Sequence, residues 1–133
     1  MQAKGGLILV VEDNKASSDL MAYLLRAAGH RVLTCSDGAD AVDIAAHEHP
    51  DVIVMDLQLD RVGGVEAAAL LAADPLLAPI PLVAVTAFAM AGDRERVLAS
   101  GFDGYLAKPI EPTTFAAQIG AMIPVPEGTL DEN

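Results

Sequence analysis

Short apolar runs alternate along this chain with longer, Ala-rich stretches in which polar positions recur at helical spacing. Five runs stand out: Leu7 to Val11, Arg31 to Cys35, Val52 to Met55, Leu82 to Val85 and Tyr105 to Ala107. They are rich in Val, Leu and Ile with little alternation. Strands covered on both faces read this way, and they belong to parallel sheets whose crossovers are helices.

The stretches between them carry helix signals. Asn14 is placed to cap a helix from about Lys15 to Ala28, stopped by Gly29, with Leu20, Leu24 and Ala27 sharing a face. A second helix follows Ser36 and Asp37 and runs to about Glu48, before Pro50. A third spans Gly64 to Ala73, ahead of Pro75. A fourth begins near Asp93, whose carboxylate is a candidate cap, and stops at Gly101. A fifth opens with Pro112 in its first turn, aligns Phe115, Ile119 and Met122, and ends at Pro124. The expected architecture is α/β, a (βα)5 doubly wound five-stranded parallel sheet with helices on both faces. One domain over residues 1–123 accounts for these elements, and the polar, acidic stretch 124–133 reads as a flexible tail.

Composition narrows the function. The 133 residues are 53% hydrophobic, enough for a packed core without staples. A formal charge of −11 and an aromatic content of 4% argue against a nucleic-acid partner, since the phosphate backbone is repelled and few stacking platforms exist. Cys35 is the only cysteine, so no internal disulfide forms, and it reads as a small buried hydrophobe. No apolar run approaches the ~20 residues of a membrane span, and no secretory signal is visible, so a cytoplasmic location is expected. His47 and His49, at the end of a predicted helix, point to different sides of it and read as solvent-facing.

The polar residues that break the apolar runs fall at strand ends: Glu12 and Asp13 after the first, Asp56 after the third, Thr86 after the fourth, Lys108 with Pro109 after the fifth. In a parallel sheet these positions share one edge, where ligands of open α/β sheets bind. With strand order 2-1-3-4-5, the three carboxylates converge and raise one another's pKa unless a cation intervenes. All-oxygen ligands point to Mg2+ or Mn2+. The further positive charge of Lys108 matches an aspartyl phosphate, with Thr86 as a hydroxyl donor to the same group. Asp56, ending the central strand, is the best nucleophile candidate.

The stretches Leu9 to Asn14, Val54 to Leu57, Thr86-Ala87 and Tyr105 to Pro109 together resemble receiver domains of two-component response regulators, over about Leu7 to Met122. Gly92 to Tyr105 resembles receivers of phosphorelays and hybrid sensor kinases. The resemblance implies a stand-alone receiver of flavodoxin-like fold whose Asp56 takes a phosphoryl group from a histidine kinase or histidine phosphotransfer protein. It implies Mg2+ held by Glu12, Asp13, Asp56 and the backbone carbonyl of Gln58, with Lys108, Thr86 and the Ala87 amide on the phosphoryl oxygens. By the same analogy Tyr105 moves with Thr86 as a switch, and the face of the fourth helix, fifth strand and fifth helix docks a downstream protein. The Lys108-Pro109 bond is then cis. The resemblance fails at Asp60, where the family usually has proline, while Gly63-Gly64 retains a flexible turn.

Two other classes compete. A haloacid-dehalogenase-like phosphatase also uses a strand-end Asp, but its second acid falls here on Gln58. A pseudo-receiver that binds partners without phosphorylation is the other.

Overall fold

The structure, a computed structural model, describes residues 5–58, 63–87 and 92–124. Ten elements alternate as expected: β1 (Leu7–Val11), α1 (Lys15–Ala27), β2 (Arg31–Cys35), α2 (Gly38–Glu48), β3 (Val52–Asp56), α3 (Gly64–Ala73), β4 (Leu82–Thr86), α4 (Asp93–Ala99), β5 (Gly104–Ala107) and α5 (Phe115–Gly120). The strands form one parallel sheet in the order β2-β1-β3-β4-β5. The expected tail lies outside the described residues beyond Pro124, as does the 59–62 part of the loop around Asp60.

Burial on both faces explains the unbroken apolar strands. Side chains alternate along each strand, so Ile8, Val10, Val52, Val54, Val83 and Val85 pack with Met21, Leu25, Phe115 and Ile119 of α1 and α5. Their neighbours Leu9, Val11, Ile53, Met55, Leu82 and Ala84 pack on the other face with α2, α3 and Val97 of α4. Two acids close the opposite, N-terminal edge of the sheet: Asp51 Oδ2 accepts the Leu7 N–H at 2.8 Å and Asp103 Oδ2 the Leu82 N–H at 2.9 Å. Each satisfies a strand-end donor that the ladder leaves open.

Local end signals hold in most places. Asn14 Oδ1 accepts the Ser17 N–H at 2.9 Å, and Gly29 and Gly101 end α1 and α4 at φ 99° and 106°, a region that favours glycine. Three expectations need correction. The buried face of α1 is Ser18, Met21, Ala22 and Leu25, whereas Leu20 and Ala27 are exposed and Leu24 is half-buried; the sheet selects a stripe rotated by one residue. In α4 the cap position is Gly92, at φ 88°, and Asp93 is the first helical residue. The fifth helix does not open at Pro112: residues 112–114 form a turn, and the helix proper is the short Phe115–Gly120 segment, with Phe115 and Ile119 buried and Met122 half-buried beyond its end. Among the described residues, no helix is long and apolar enough to cross a membrane.

Candidate functional site

The site forms at the C-terminal edge of the sheet because the three central strands stop in register there. Val11 pairs with Met55, Asp56 with Val85 and Thr86 with Ala107, so the residues after each strand emerge side by side. The Glu12 N–H donates to Cys35 O at 3.0 Å and the Lys108 N–H to Thr86 O at 2.8 Å, extending the ladder by one bond and fixing both site residues. The Lys108-Pro109 bond is cis, as the resemblance implied.

Carboxylate oxygens of Glu12, Asp13 and Asp56 lie within 4.8 Å of one another. Lys108 Nζ donates to Glu12 Oε1 at 2.7 Å and to Asp56 Oδ2 at 3.0 Å. The remaining oxygens of the two buried acids accept backbone donors: Asp56 Oδ1 takes the Gln58 N–H at 2.9 Å, and Glu12 Oε2 takes the Asn14 N–H at 3.2 Å. Each carboxylate is thereby oriented by a turn immediately following its own strand.

The electrostatics reflect crowding. Burial raises the pKa of Glu12 above the usual carboxylate range and neighbouring Asp56 adds to this, against the opposing pull of Lys108 and the Asn14 amide. For Lys108, burial alone lowers the pKa, but the Glu12 and Asp56 carboxylates outweigh it and hold the ammonium above its ordinary value. Among the described residues, the three carboxylates and the Lys108 ammonium together carry a formal charge of −2 when all are ionised. A divalent cation balances that charge, and an all-oxygen donor set suits Mg2+ better than a softer metal. The residues present therefore fit the expected ion.

Thr86 ends β4 fully buried, and Ala87 follows at the surface. Tyr105 lies half-buried in β5, against the cluster on the α2–α4 side of the sheet. His47 and His49 are exposed, as expected, and take no part in the carboxylate cluster. Cys35 is half-buried rather than buried, and burial followed by the charge of Asp40 pushes its thiol up to about 12.

Two features escaped the sequence reading. Gly64 is the first residue of α3, and a Cβ there meets Asp56 O and Leu57 Cα at 2.9 Å. The glycine lets the helix start directly against the end of β3; close approach, not turn flexibility, explains it. The second is a mostly apolar cavity of about 340 Å3 beside Lys108, lined by Ser17, Leu20, Met21, Ala87, Pro109 and Ile110. Leu20, read as sharing a face with Leu24 and Ala27, was its one legible signal: an apolar residue of α1 that lines this cavity and is 41% exposed.

A family model described as the response regulator receiver domain matches residues 8–120. The polar-differentiation response regulator DivK of Brucella ovis is 41% identical over 112 residues, covering 84% of this chain and 91% of that protein. Among solved structures, the receiver domain of a sensor histidine kinase from Pseudomonas aeruginosa, described with a magnesium ion coordinated in its active-site cleft, is 35% identical with a TM-score of 0.81, over 89% of this chain and 97% of that one. A response regulator from Chloroflexus aurantiacus superposes with a TM-score of 0.84 at 24% identity, over 90% of this chain and 98% of that one, a likeness of fold.

Proposed function

Because this chain belongs to the receiver-domain family of two-component response regulators, we propose that Asp56 accepts a phosphoryl group from a phosphohistidine on a histidine kinase or histidine phosphotransfer protein. In that transfer the P–N bond breaks, the imidazole nitrogen keeps the bonding electron pair, and a new O–P bond forms to a carboxylate oxygen of Asp56. The observation that carries the reading is the Lys108 ammonium bridging Glu12 and Asp56 inside a three-carboxylate cluster. Esterification adds negative charge at Asp56, and a prepositioned ammonium is suited to receive it.

Each remaining residue has a role in this scheme. Glu12, Asp13, Asp56 and the Gln58 carbonyl hold Mg2+, or Mn2+, which when bound neutralises phosphoryl oxygens. Lys108 contacts one phosphoryl oxygen, while the Thr86 hydroxyl and Ala87 amide donate to others. Movement of Thr86 toward the phosphoryl group opens space that Tyr105 enters, altering the face of α4, β5 and α5 for a downstream protein. The receiver domain spans residues 1–123 and works in the cytoplasm as a switch or a phosphorelay intermediate. The family is a signalling one, and modification of Asp56 takes the place of substrate turnover; slow self-phosphorylation and self-dephosphorylation accompany the role.

Incubation with Mg2+ and acetyl phosphate tests the reading. A single acid-stable, base-labile phosphoryl group on Asp56 is expected, absent in Asp56→Asn and strongly reduced by chelation. Equal labelling of Asp56→Asn overturns the assignment.

A further inference from the structure

Helix α3 presents an unusual outer surface for a solvent-facing helix. Gly64, Ala67, Ala68 and Leu71 face the core, so the opposite arc carries Val65, Ala69 and Ala73 at i, i+4 and i+8, with Leu70 alongside. Val65 is 50% exposed, Leu70 52%, and Leu76, in the turn just beyond the helix, 73%. Single exposed apolar residues are ordinary, but here three large ones fall within twelve residues, with exposed alanines at 69, 72 and 73 between them. The one ionisable side chain within α3, Glu66, is turned back along the helix: its Oε1 accepts the Gly63 N–H at 3.0 Å, capping the helix start. Glu66 is therefore the single charge on this arc, tied by that bond to the N-terminal end of the helix.

The margin of the patch is acidic. Helix α2 packs beside α3 and exposes Asp40, Asp43 and Glu48, and Asp74 follows α3 at its C-terminal end. Between Arg31 and Arg94 the sequence holds one Lys or Arg, Arg61, against ten Asp or Glu. An apolar stripe of helical spacing with a negative border is complementary to a helix with an apolar face flanked by Lys and Arg. The same border opposes the alternatives: a second copy brings like charge to like, and an anionic membrane is repelled. The alanines at positions 69, 72 and 73 also leave room for a helix backbone to lie close. We propose that the outer face of α3, with its α2 border, docks a cationic amphipathic helix of a partner protein.

This surface is separate from the cavity beside Lys108, and its occupancy does not depend on phosphorylation of Asp56. A synthetic Leu/Ala/Lys amphipathic helix and a shuffled isomer of identical composition are titrated into the uniformly 15N-labelled full chain. The amphipathic peptide is expected to shift amides of α2 and α3 and to bind about ten-fold more tightly than its isomer, a difference of ~1.4 kcal/mol. Leu70→Asp and Val65→Asp, both at exposed positions, are expected to abolish that advantage while leaving the circular dichroism and the phosphodonor labelling unchanged. Asp43→Lys with Glu48→Lys is expected to weaken binding of the amphipathic peptide. Three results overturn the proposal: equal binding of both peptides, shifts centred on another surface, or sedimentation of the chain alone as a dimer that Leu70→Asp dissociates. Binding to vesicles of anionic lipid through the same residues overturns it as well.

Discussion

Lys108 Nζ sits 2.7 Å from Glu12 Oε1 although the two residues are 96 positions apart, and that bond ties the loop after β5 to the loop after β1. The ammonium brings positive charge to two of the carboxylates that the proposed Mg2+ site uses, so lysine and a bound metal are expected to stabilise them by the same means.

Lys108→Ala removes the ammonium that bridges Glu12 and Asp56. In chelator, urea unfolding at neutral pH is expected to show a loss of roughly 1–3 kcal/mol, the cost of leaving buried polar groups unsatisfied. Saturating Mg2+ is expected to recover much of the loss, while labelling by acetyl phosphate stays slow. Insensitivity of the variant to Mg2+ would contradict shared stabilisation.

For the metal, wild-type protein at Mg2+ concentrations about 100 times the dissociation constant is expected to gain ~2.7 kcal/mol over the chelated protein by mass action. Asp13→Asn keeps the side-chain size but removes one charge from the cluster, and is expected to require roughly ten-fold more Mg2+ for the same increase in thermal midpoint.

Gly64 and Gly63 form a paired control. At Gly64 an added Cβ meets backbone atoms of Asp56 and Leu57 at 2.9 Å, whereas at Gly63 it meets only Glu66 Oε1, at 3.6 Å. Gly64→Ala is expected to cost roughly 1–3 kcal/mol through overpacking and to slow phosphodonor labelling by displacing Asp56. Gly63→Ala is expected to stay within about 0.5 kcal/mol of wild type. Equal effects at the two positions would remove the packing explanation.

Helix α1 offers a second pair. Met21 is 1% exposed and Leu20 41%. Met21→Ala is expected to cost roughly 2–5 kcal/mol, and Leu20→Ala less than about 1 kcal/mol, as measured by chemical denaturation.

The Cys35 thiol is held up to about 12. Alkylation by iodoacetamide at pH 8 is expected to run on the order of 100-fold slower than in the unfolded chain, whose thiol titrates near ~8.5. Between those values the folded chain binds more protons than the unfolded one. Stability relative to Cys35→Ala is therefore fully present below the unfolded value and falls as pH rises through the window.

The element order, and the meeting of the candidate site residues at one sheet edge, were legible in the chain because they depend on local signals. Strand runs such as Leu7–Val11, the Asn14 cap and the glycines after α1 and α4 act over a few residues, and parallel strands bring Glu12, Asp56, Thr86 and Lys108 to one edge by topology alone. The α1 stripe was not legible in the same way. Leu20, Met21, Leu24 and Leu25 all satisfy a helical apolar pattern, and which of them is buried depends on how the helix is rotated against β1 and β2.

Linear order thus specified which side chains meet, and folding specified how they meet. That Lys108 divides its donors between Glu12 and Asp56, that Gly64 is seated on the Asp56 carbonyl, and that α5 begins only at Phe115 follow from distances between segments remote in sequence. Such distances are set by the packing of helices on both faces of the sheet, a property of the assembled core that no stretch of a few residues encodes.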